Sequence, residues 1–229
     1  MKIEVWIRKS GNNSSSICDR KMKVLHLLLG LLLVISPALG QGSIALNKKF
    51  ALQGTTLVYD SNLSADPGLN YITFDDAKVF KQYLNKHSIK TLRLTSKGGQ
   101  QGAMLDIKDL VLNYKLDTEA KGECESACSI IFIAGQKRSF IDKVKLGFHT
   151  TFTKIDDFEK RKKLVEGYDK RLDYENTIAY FSKVSAANEI VFFQMQGIHI
   201  YFALRVLKVH PLDMWYPKHK DLIDYGVLN

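Results

Sequence analysis

Residues 116–149 read LDTEAKGECESACSIIFIAGQKRSFIDKVKLGFH, and this stretch is the most informative about the fold class. Leu116–Lys121 is short and typical of a strand. Gly122–Ala134 begins as a small-residue turn with two cysteines and leads into an apolar helix that starts near Ser126. Lys143–His149 alternates apolar and polar residues like a second strand. A strand, a helix and another strand at this spacing are typical of a parallel sheet.

The same alternation continues towards the N-terminus. Residues 43–60 are rich in β-branched side chains and predict one or two strands. Thr73 is the predicted N-cap of a helix over 74–87, a further strand follows at 89–95, and 101–115 predicts a second helix. The order of elements therefore indicates an α/β protein with a largely parallel sheet.

Two segments follow the central stretch. From Asp156 to Ala187, charged and apolar residues mix with helical spacing. Residues 190–207 read IVFFQMQGIHIYFALRVL, and Gln194, Gln196 and His199 interrupt this apolar run. A membrane span is the alternative reading, but polar interruptions favour a buried or partner-facing helix.

Composition excludes several classes of protein. The chain has 229 residues, of which 45% are hydrophobic and 10% aromatic, so a disordered or collagen-like chain is excluded and one domain is expected. The formal net charge is +9, but residues 1–40 carry six basic and two acidic residues, which leaves +5 for the remainder. A mixed charge of this size gives no reason to expect nucleic acid as a partner.

The first forty residues resemble a secretory signal peptide. Val24–Ile35 reads VLHLLLGLLLVI, basic residues precede it, and Ala38 and Gly40 stand at the −3 and −1 positions of a cleavage site. We expect residues 1–40 to be removed by the secretion machinery, with the true start possible at Met22, and residues 41–229 to form a single domain. The expected location is periplasmic or secreted. The alternative is an uncleaved membrane anchor at residues 24–35, although a spanning helix needs about 20 apolar residues.

After such a cleavage the chain would keep two cysteines, Cys124 and Cys128. Export favours a disulfide, which this spacing allows if the segment turns there. Zinc is the alternative, but two thiols without a nearby second pair make a poor structural site. The sequence therefore predicts no metal and no cofactor.

Three places carry candidate chemistry. Ser96-Lys97-Gly98-Gly99 follows a strand and precedes a helix, so its backbone N–H groups could point at an oxyanion or could only form a turn. Ser126 stands at a helix N-terminus, where it could act as a nucleophile or only cap the helix. His149 ends a strand and could be a general base or a structural histidine.

Taken in order, these motifs resemble the ClpP/crotonase superfamily. The matching parts are the Gly-Gly turn at 96–99, Gly122-x-x-x-Ser126-Ala127, the AGQKR at 134–138, the LGFH at 146–149, and a C-terminal acid and aromatic followed by KDLIDYGVL at 220–228. The nearest match is an exported Clp protease-like branch with a C-x-S-A-C nucleophile turn. The resemblance implies a ββα spiral with a largely parallel sheet.

The resemblance also implies site residues. Ser126 would be the nucleophile, His149 its base, and Asp213 the acid that orients the imidazole. The backbone N–H of Ala127, with that of Gly98 or Gly99, would form the oxyanion hole. A Cys124–Cys128 disulfide would hold the turn that carries the nucleophile.

Two departures from the family pattern leave alternatives open. Lys97 replaces the family's proline in the turn, and the segment from His149 to Asp213 is long, which brings in reserve acids. A Ser–Lys dyad, as in the related signal peptide peptidases, is a separate alternative. The reserve acids are Asp156, Asp157 and Asp169. The alternative lysine bases are Lys97, Lys137 and Lys143.

Three functions compete. The first is an exported serine hydrolase, most simply a peptidase, that acts on a peptide or protein through an acyl-enzyme. The second is a catalytically inactive Clp-like module for peptide binding or assembly. The third is a crotonase-type thioester enzyme, which export disfavours because coenzyme A is not expected there. The helix at 156–187 and the stretch 190–207 are candidate surfaces for a homo-oligomer.

Overall fold

The computed structural model describes residues 48–150 and 171–229 of the chain. The predicted signal peptide at 1–40 lies outside the described residues. So do the reserve acids Asp156, Asp157 and Asp169.

One five-stranded sheet lies at the centre of the described residues, and its strands are adjacent in chain order. The first two strands form an antiparallel hairpin, and every later neighbour is parallel. The strands are β1 (Phe50–Gln53), β2 (Thr56–Asp60), β3 (Thr91–Ser96), β4 (Asp117–Glu125) and β5 (Arg138–Gly147). The prediction of an α/β protein with a largely parallel sheet is confirmed.

The first three helices connect the parallel strands, and three more follow β5. They are α1 (Phe74–Lys86), α2 (Gln101–Asn113), α3 (Ala127–Ile133), α4 (Arg171–Met195), α5 (Ile200–Leu207) and α6 (His219–Asp224). α1 packs on α2, α2 packs on α3, and α3 packs against β3, β4 and β5. The apolar core therefore lies between this helical layer and the sheet.

The start of α1 agrees with the sequence prediction. The Thr73 hydroxyl accepts a hydrogen bond from the Asp76 N–H, and the Asp76 carboxylate accepts one from the Thr73 N–H. This reciprocal capping box satisfies two backbone donors that the helix itself cannot satisfy. Asp76 is fully buried and also pairs with Lys49 at 2.9 Å, which fixes the chain before β1 against α1.

The end of β4 corrects one prediction. The sequence predicts a strand that stops at Lys121 and a small-residue turn from Gly122 onward, but β4 continues to Glu125. Gly122 has φ +67, and the pairing with β5 shifts register between Lys121 and Gly122. This bulge lets the strand resume, so the turn before α3 shrinks to Ser126 alone.

The apolar stretch 190–207 is divided. α4 ends at Met195, Gly197 adopts φ +73, and α5 begins at Ile200 with His199 as its N-cap. Within the described ranges, no helix combines the length and apolarity needed to cross a membrane. Phe193, Phe202 and Val206 of this stretch are buried in the core instead.

Candidate active site

The predicted site residues follow the carboxyl ends of neighbouring parallel strands. The Gly-Gly turn follows β3, Ser126 follows β4, and His149 stands two residues after β5. Because these strands are parallel, their carboxyl ends lie at one edge of the sheet. Open α/β sheets place their ligand sites at this edge.

Ser126 occupies a strained turn between β4 and α3. Its backbone has φ 55 and ψ −121, a conformation that a side chain rarely adopts and that costs about 1–3 kcal/mol. Its N–H donates to the Gly147 carbonyl at the end of β5 over 3.0 Å. A serine on a sharp strand-to-helix turn presents its hydroxyl outward, as nucleophilic serines of α/β hydrolases do.

His149 lies against this serine. The distance between the His149 Nε2 and the Ser126 Oγ is 2.7 Å, and both residues are partly exposed. The other ring nitrogen, Nδ1, lies 2.7 Å from the Thr150 carbonyl oxygen. Since a carbonyl can only accept, Nδ1 carries the proton and Nε2 is the nitrogen that accepts the Ser126 hydroxyl proton.

Asp213 lies apart from this pair. Its side chain is exposed, and its N–H donates to the His210 carbonyl over 2.9 Å. Among the described residues, the Asp213 carboxylate makes no hydrogen bond or ion pair. The structure therefore brings Ser126 and His149 together but gives Nδ1 a backbone carbonyl as its partner.

The glycine turn lies directly beside Ser126. A Cβ atom placed on Gly98 would be 2.7 Å from the Ser126 Cβ and 3.2 Å from the Ala127 nitrogen, and Gly98 has φ +104. The buried Ser96 hydroxyl accepts the Gly98 N–H over 3.1 Å, and the Ile72 N–H donates to the Gly98 carbonyl over 2.8 Å. Only glycine fits this approach of two backbones.

The turn also leaves two backbone donors available. The Gly98 N–H is used by Ser96, whereas the exposed Gly99 N–H makes no hydrogen bond within the described part of the chain. The same holds for the N–H of Ala127, the first residue of α3, where the helix supplies no acceptor. Of the two predicted glycine donors, Gly99 is thus the one with a free N–H.

Cys124 and Cys128 form a disulfide across the turn that carries Ser126. Both residues are fully buried, one at the end of β4 and the other in the first turn of α3. The bond uses both thiols, which favours the disulfide over the alternative of zinc at these cysteines. A disulfide at this place is compatible with an exported protein.

The three alternative lysine bases do not contact the serine. The exposed Lys97 pairs with Glu123 at 3.7 Å, and within the described ranges neither Lys137 nor Lys143 hydrogen-bonds to Ser126. The partner seen at the Ser126 hydroxyl is the imidazole.

A polar cluster that no sequence motif indicates lies next to Ser126. The Glu125 carboxylate accepts a hydrogen bond from the Tyr216 hydroxyl over 2.8 Å and pairs with Lys145 at 2.9 Å. Alternation along the strands could have placed Glu125 and Lys145 on one sheet face, but no local pattern points to Tyr216, which lies 91 residues away.

Comparison with protein-family models and with curated proteins finds no match.

Proposed function

We propose that the protein is an exported serine hydrolase, most simply a peptidase, with Ser126 as its nucleophile. The observation that carries the proposal is the 2.7 Å contact between the Ser126 Oγ and the His149 Nε2, made by a serine in a strained turn between β4 and α3. A hydroxyl is a weak nucleophile unless a neighbouring base removes its proton. In this chain His149 is that base.

The reaction is acyl transfer in two steps. His149 takes the Ser126 proton as Oγ attacks the substrate carbonyl, and it gives that proton to the leaving group as the bond to the acyl carbon breaks. Water then attacks the acyl-enzyme by the same route in reverse, releasing the acid and restoring the serine. The Thr150 carbonyl holds the imidazole in the required tautomer throughout.

The oxyanion hole is formed by the N–H groups of Gly99 and Ala127. Both donors are free within the described residues, and the Gly98 backbone lies against Ser126 and Ala127. The Ala127 N–H also stands at the N-terminus of α3, where the helix favours negative charge. Two such donors stabilise the charge that develops on the carbonyl oxygen, and removal of one donor from an oxyanion hole typically costs about 3–4 kcal/mol.

The third member of the triad is a separate part of the proposal. A backbone carbonyl fixes the tautomer but does not neutralise an imidazolium as a carboxylate does. The resemblance to the ClpP/crotonase superfamily assigns this role to Asp213, and that assignment stays a prediction. The parallel sheet with strands in chain order supports the ββα spiral of that superfamily as the finer fold.

Burst kinetics with p-nitrophenyl acetate test the proposal. We expect the purified protein to release one equivalent of p-nitrophenol rapidly as the acyl-enzyme forms. Ser126→Ala should lower the rate at least about 1,000-fold. The exposed Ser182 on α4 provides the matched control, and Ser182→Ala should leave the burst unchanged.

Two results would contradict the proposal. A folded wild-type protein without a burst would favour the inactive peptide-binding or assembly module. An unchanged burst in Ser126→Ala would show that another group is the nucleophile.

A further inference from the structure

Glu125, Lys145 and Tyr216 form a polar cluster on the sheet face opposite the buried disulfide. The cluster links the residue before Ser126 to β5, the strand that leads to His149. Glu123 pairs with Lys145, and Glu125 pairs with Gly147, in the register of β4 and β5. Because side chains alternate along a strand, these residues share a face, while Cys124 and Leu146 point into the core. Glu125 is the residue directly before the nucleophile.

The Glu125 carboxylate is almost completely buried, with 8% of the residue exposed. A buried carboxylate is costly unless it is paired and hydrogen-bonded. Here the Lys145 ammonium lies 2.9 Å away, and the Tyr216 hydroxyl donates to the same oxygen, Oε1, over 2.8 Å. The Lys145 nitrogen also lies 4.5 Å from the centre of the Tyr216 ring, so the three side chains form one unit.

Lys145 is the cation of this unit, and it keeps its positive charge. Hydrogen bonding to Tyr216 and to Glu125 raises the pKa of Lys145 above its ordinary value. Lys145 therefore stays protonated at neutral pH and cannot serve as a base.

Tyr216 belongs to a segment that holds the chain between the end of β5 and His149. The Phe148 N–H donates to the Trp215 carbonyl over 2.9 Å, and the Trp215 N–H donates to the Phe148 carbonyl over 2.8 Å. Gly147 leaves room for this segment, since a Cβ there would lie 2.8 Å from both Met214 and Tyr216. The position of residues 147–149 thus depends on where residues 214–216 are fixed.

We propose that Glu125, Lys145 and Tyr216 are positioning residues that set the Ser126–His149 contact. The Tyr216 hydroxyl fixes the segment bridged to Phe148 onto the residue before Ser126, so the nucleophile and its base move together. Lys145 neutralises the Glu125 carboxylate, which would otherwise oppose the negative charge of the transition state. This inference depends on the proposed hydrolase activity.

The test is steady-state hydrolysis of p-nitrophenyl acetate by the full chain carrying Tyr216→Phe. This variant keeps the ring that packs on Gly147 and removes only the hydroxyl. We expect kcat to fall about 10-fold or more while KM changes less than 2-fold, because the loss affects geometry in the reacting pair and not binding. Tyr201→Phe is the matched control, since Tyr201 is exposed on α5, and it should leave both constants unchanged.

Two further variants separate positioning from general stability. Glu125→Gln keeps an acceptor for the Tyr216 hydroxyl and should retain more kcat than Glu125→Ala. Lys145→Met changes a half-exposed side chain on a formed strand, so it should fold, and its kcat should also fall. Lys121→Met, at an exposed position of β4, is its control.

The inference fails if Tyr216→Phe and Lys145→Met both keep the wild-type kcat in folded protein. It fails equally if Glu125→Gln and Glu125→Ala lose the same activity, which is the result of a purely structural role. If the wild-type protein shows no hydrolysis, the proposed function itself fails, and there is no catalytic pair left to position.

Discussion

Ser126 combines a strained backbone with a hydrogen bond to His149. Its positive φ is maintained by fixed neighbours on both sides, β4 before it and α3 after it, and by the hydrogen bond from its N–H to Gly147. Strained residues persist only where the surrounding structure determines them. The strain at Ser126 therefore points to a role beyond helix capping, and no side-chain cap is present at this helix.

The close approach of Gly98 to Ser126 predicts that a larger residue at position 98 would disturb the serine. Gly98→Ala should displace the serine, since the new Cβ would lie 2.7 Å from the Ser126 Cβ. We expect the burst with p-nitrophenyl acetate to be lost. Gly54→Ala is the control, because Gly54 also has positive φ but nothing lies within 4 Å of its Cβ position.

The two variants separate the effect of backbone strain, which both share, from the effect of a Cβ that collides with Ser126, which only Gly98→Ala has. Gly54→Ala should lower the free energy of unfolding by about 1 kcal/mol and leave the burst intact. Equal activity in the two variants would show that the Gly98 contact does not position the nucleophile.

Individual site residues could be predicted to different degrees. Ser126 and His149 stand in short local motifs at strand ends, so the sequence indicates them and the structure brings them together. The hydrogen bond from Tyr216 to Glu125 spans 91 residues, and no local signal encodes such a pairing. The choice between Gly98 and Gly99 as donor also needed the structure, because it depends on the Ser96 hydroxyl.

At the scale of elements, the disulfide joins the end of β4 to the first turn of α3. It encloses Ser126 in a very short loop, so it limits the freedom of the one residue that forms the turn. This arrangement predicts that the disulfide matters more for the position of Ser126 than for overall stability.

The double variant Cys124→Ala, Cys128→Ala tests that prediction. Because the closed loop is so short, we expect the free energy of unfolding to fall by only about 2 kcal/mol or less. The variant should stay folded at ambient temperature, so this loss of stability does not lower the acylation rate by itself. We nevertheless expect the rate of Ser126 acylation to fall, because the turn is no longer held in place. Urea denaturation and burst kinetics on the same samples measure both, and an unchanged acylation rate would refute the role of the disulfide in positioning.

Element boundaries show where the sequence was sufficient. α1 and β3 agree closely with prediction, because a capping box and regular alternation mark them locally. β4 was predicted too short, because Gly122 looks like a turn residue but instead forms a bulge that β5 pairs across. Pairing with a distant strand decided that boundary, and local propensity alone could not.

At the scale of the molecule, Arg138, the first residue of the edge strand β5, joins the sheet to the C-terminal region. It is 3% exposed, and its guanidinium donates to carbonyls of three separate segments. The acceptors are the carbonyls of Ile133, Gly135, Gln196, Gly226 and Val227. Lysine has no planar fork of donors and could not satisfy this set.

Arg138→Lys should therefore destabilise the whole fold, by about 2–4 kcal/mol in urea denaturation, because several buried carbonyls lose their donors. Arg93→Lys is the matched control, since Arg93 is partly exposed and forms an ion pair with Glu119, and its loss should cost about 1 kcal/mol or less. Equal losses in the two variants would contradict the role of Arg138 as the link between segments.

A fluorophosphonate probe, which reacts with activated serines, is the most direct test of whether Ser126 is a nucleophile. The purified protein is treated with the probe, digested, and mapped by mass spectrometry. We predict one adduct, on the peptide that contains Ser126, absent in Ser126→Ala and formed far more slowly in His149→Ala. A folded wild-type protein that stays unlabelled, or an adduct on a different serine, would show that Ser126 is not the activated nucleophile.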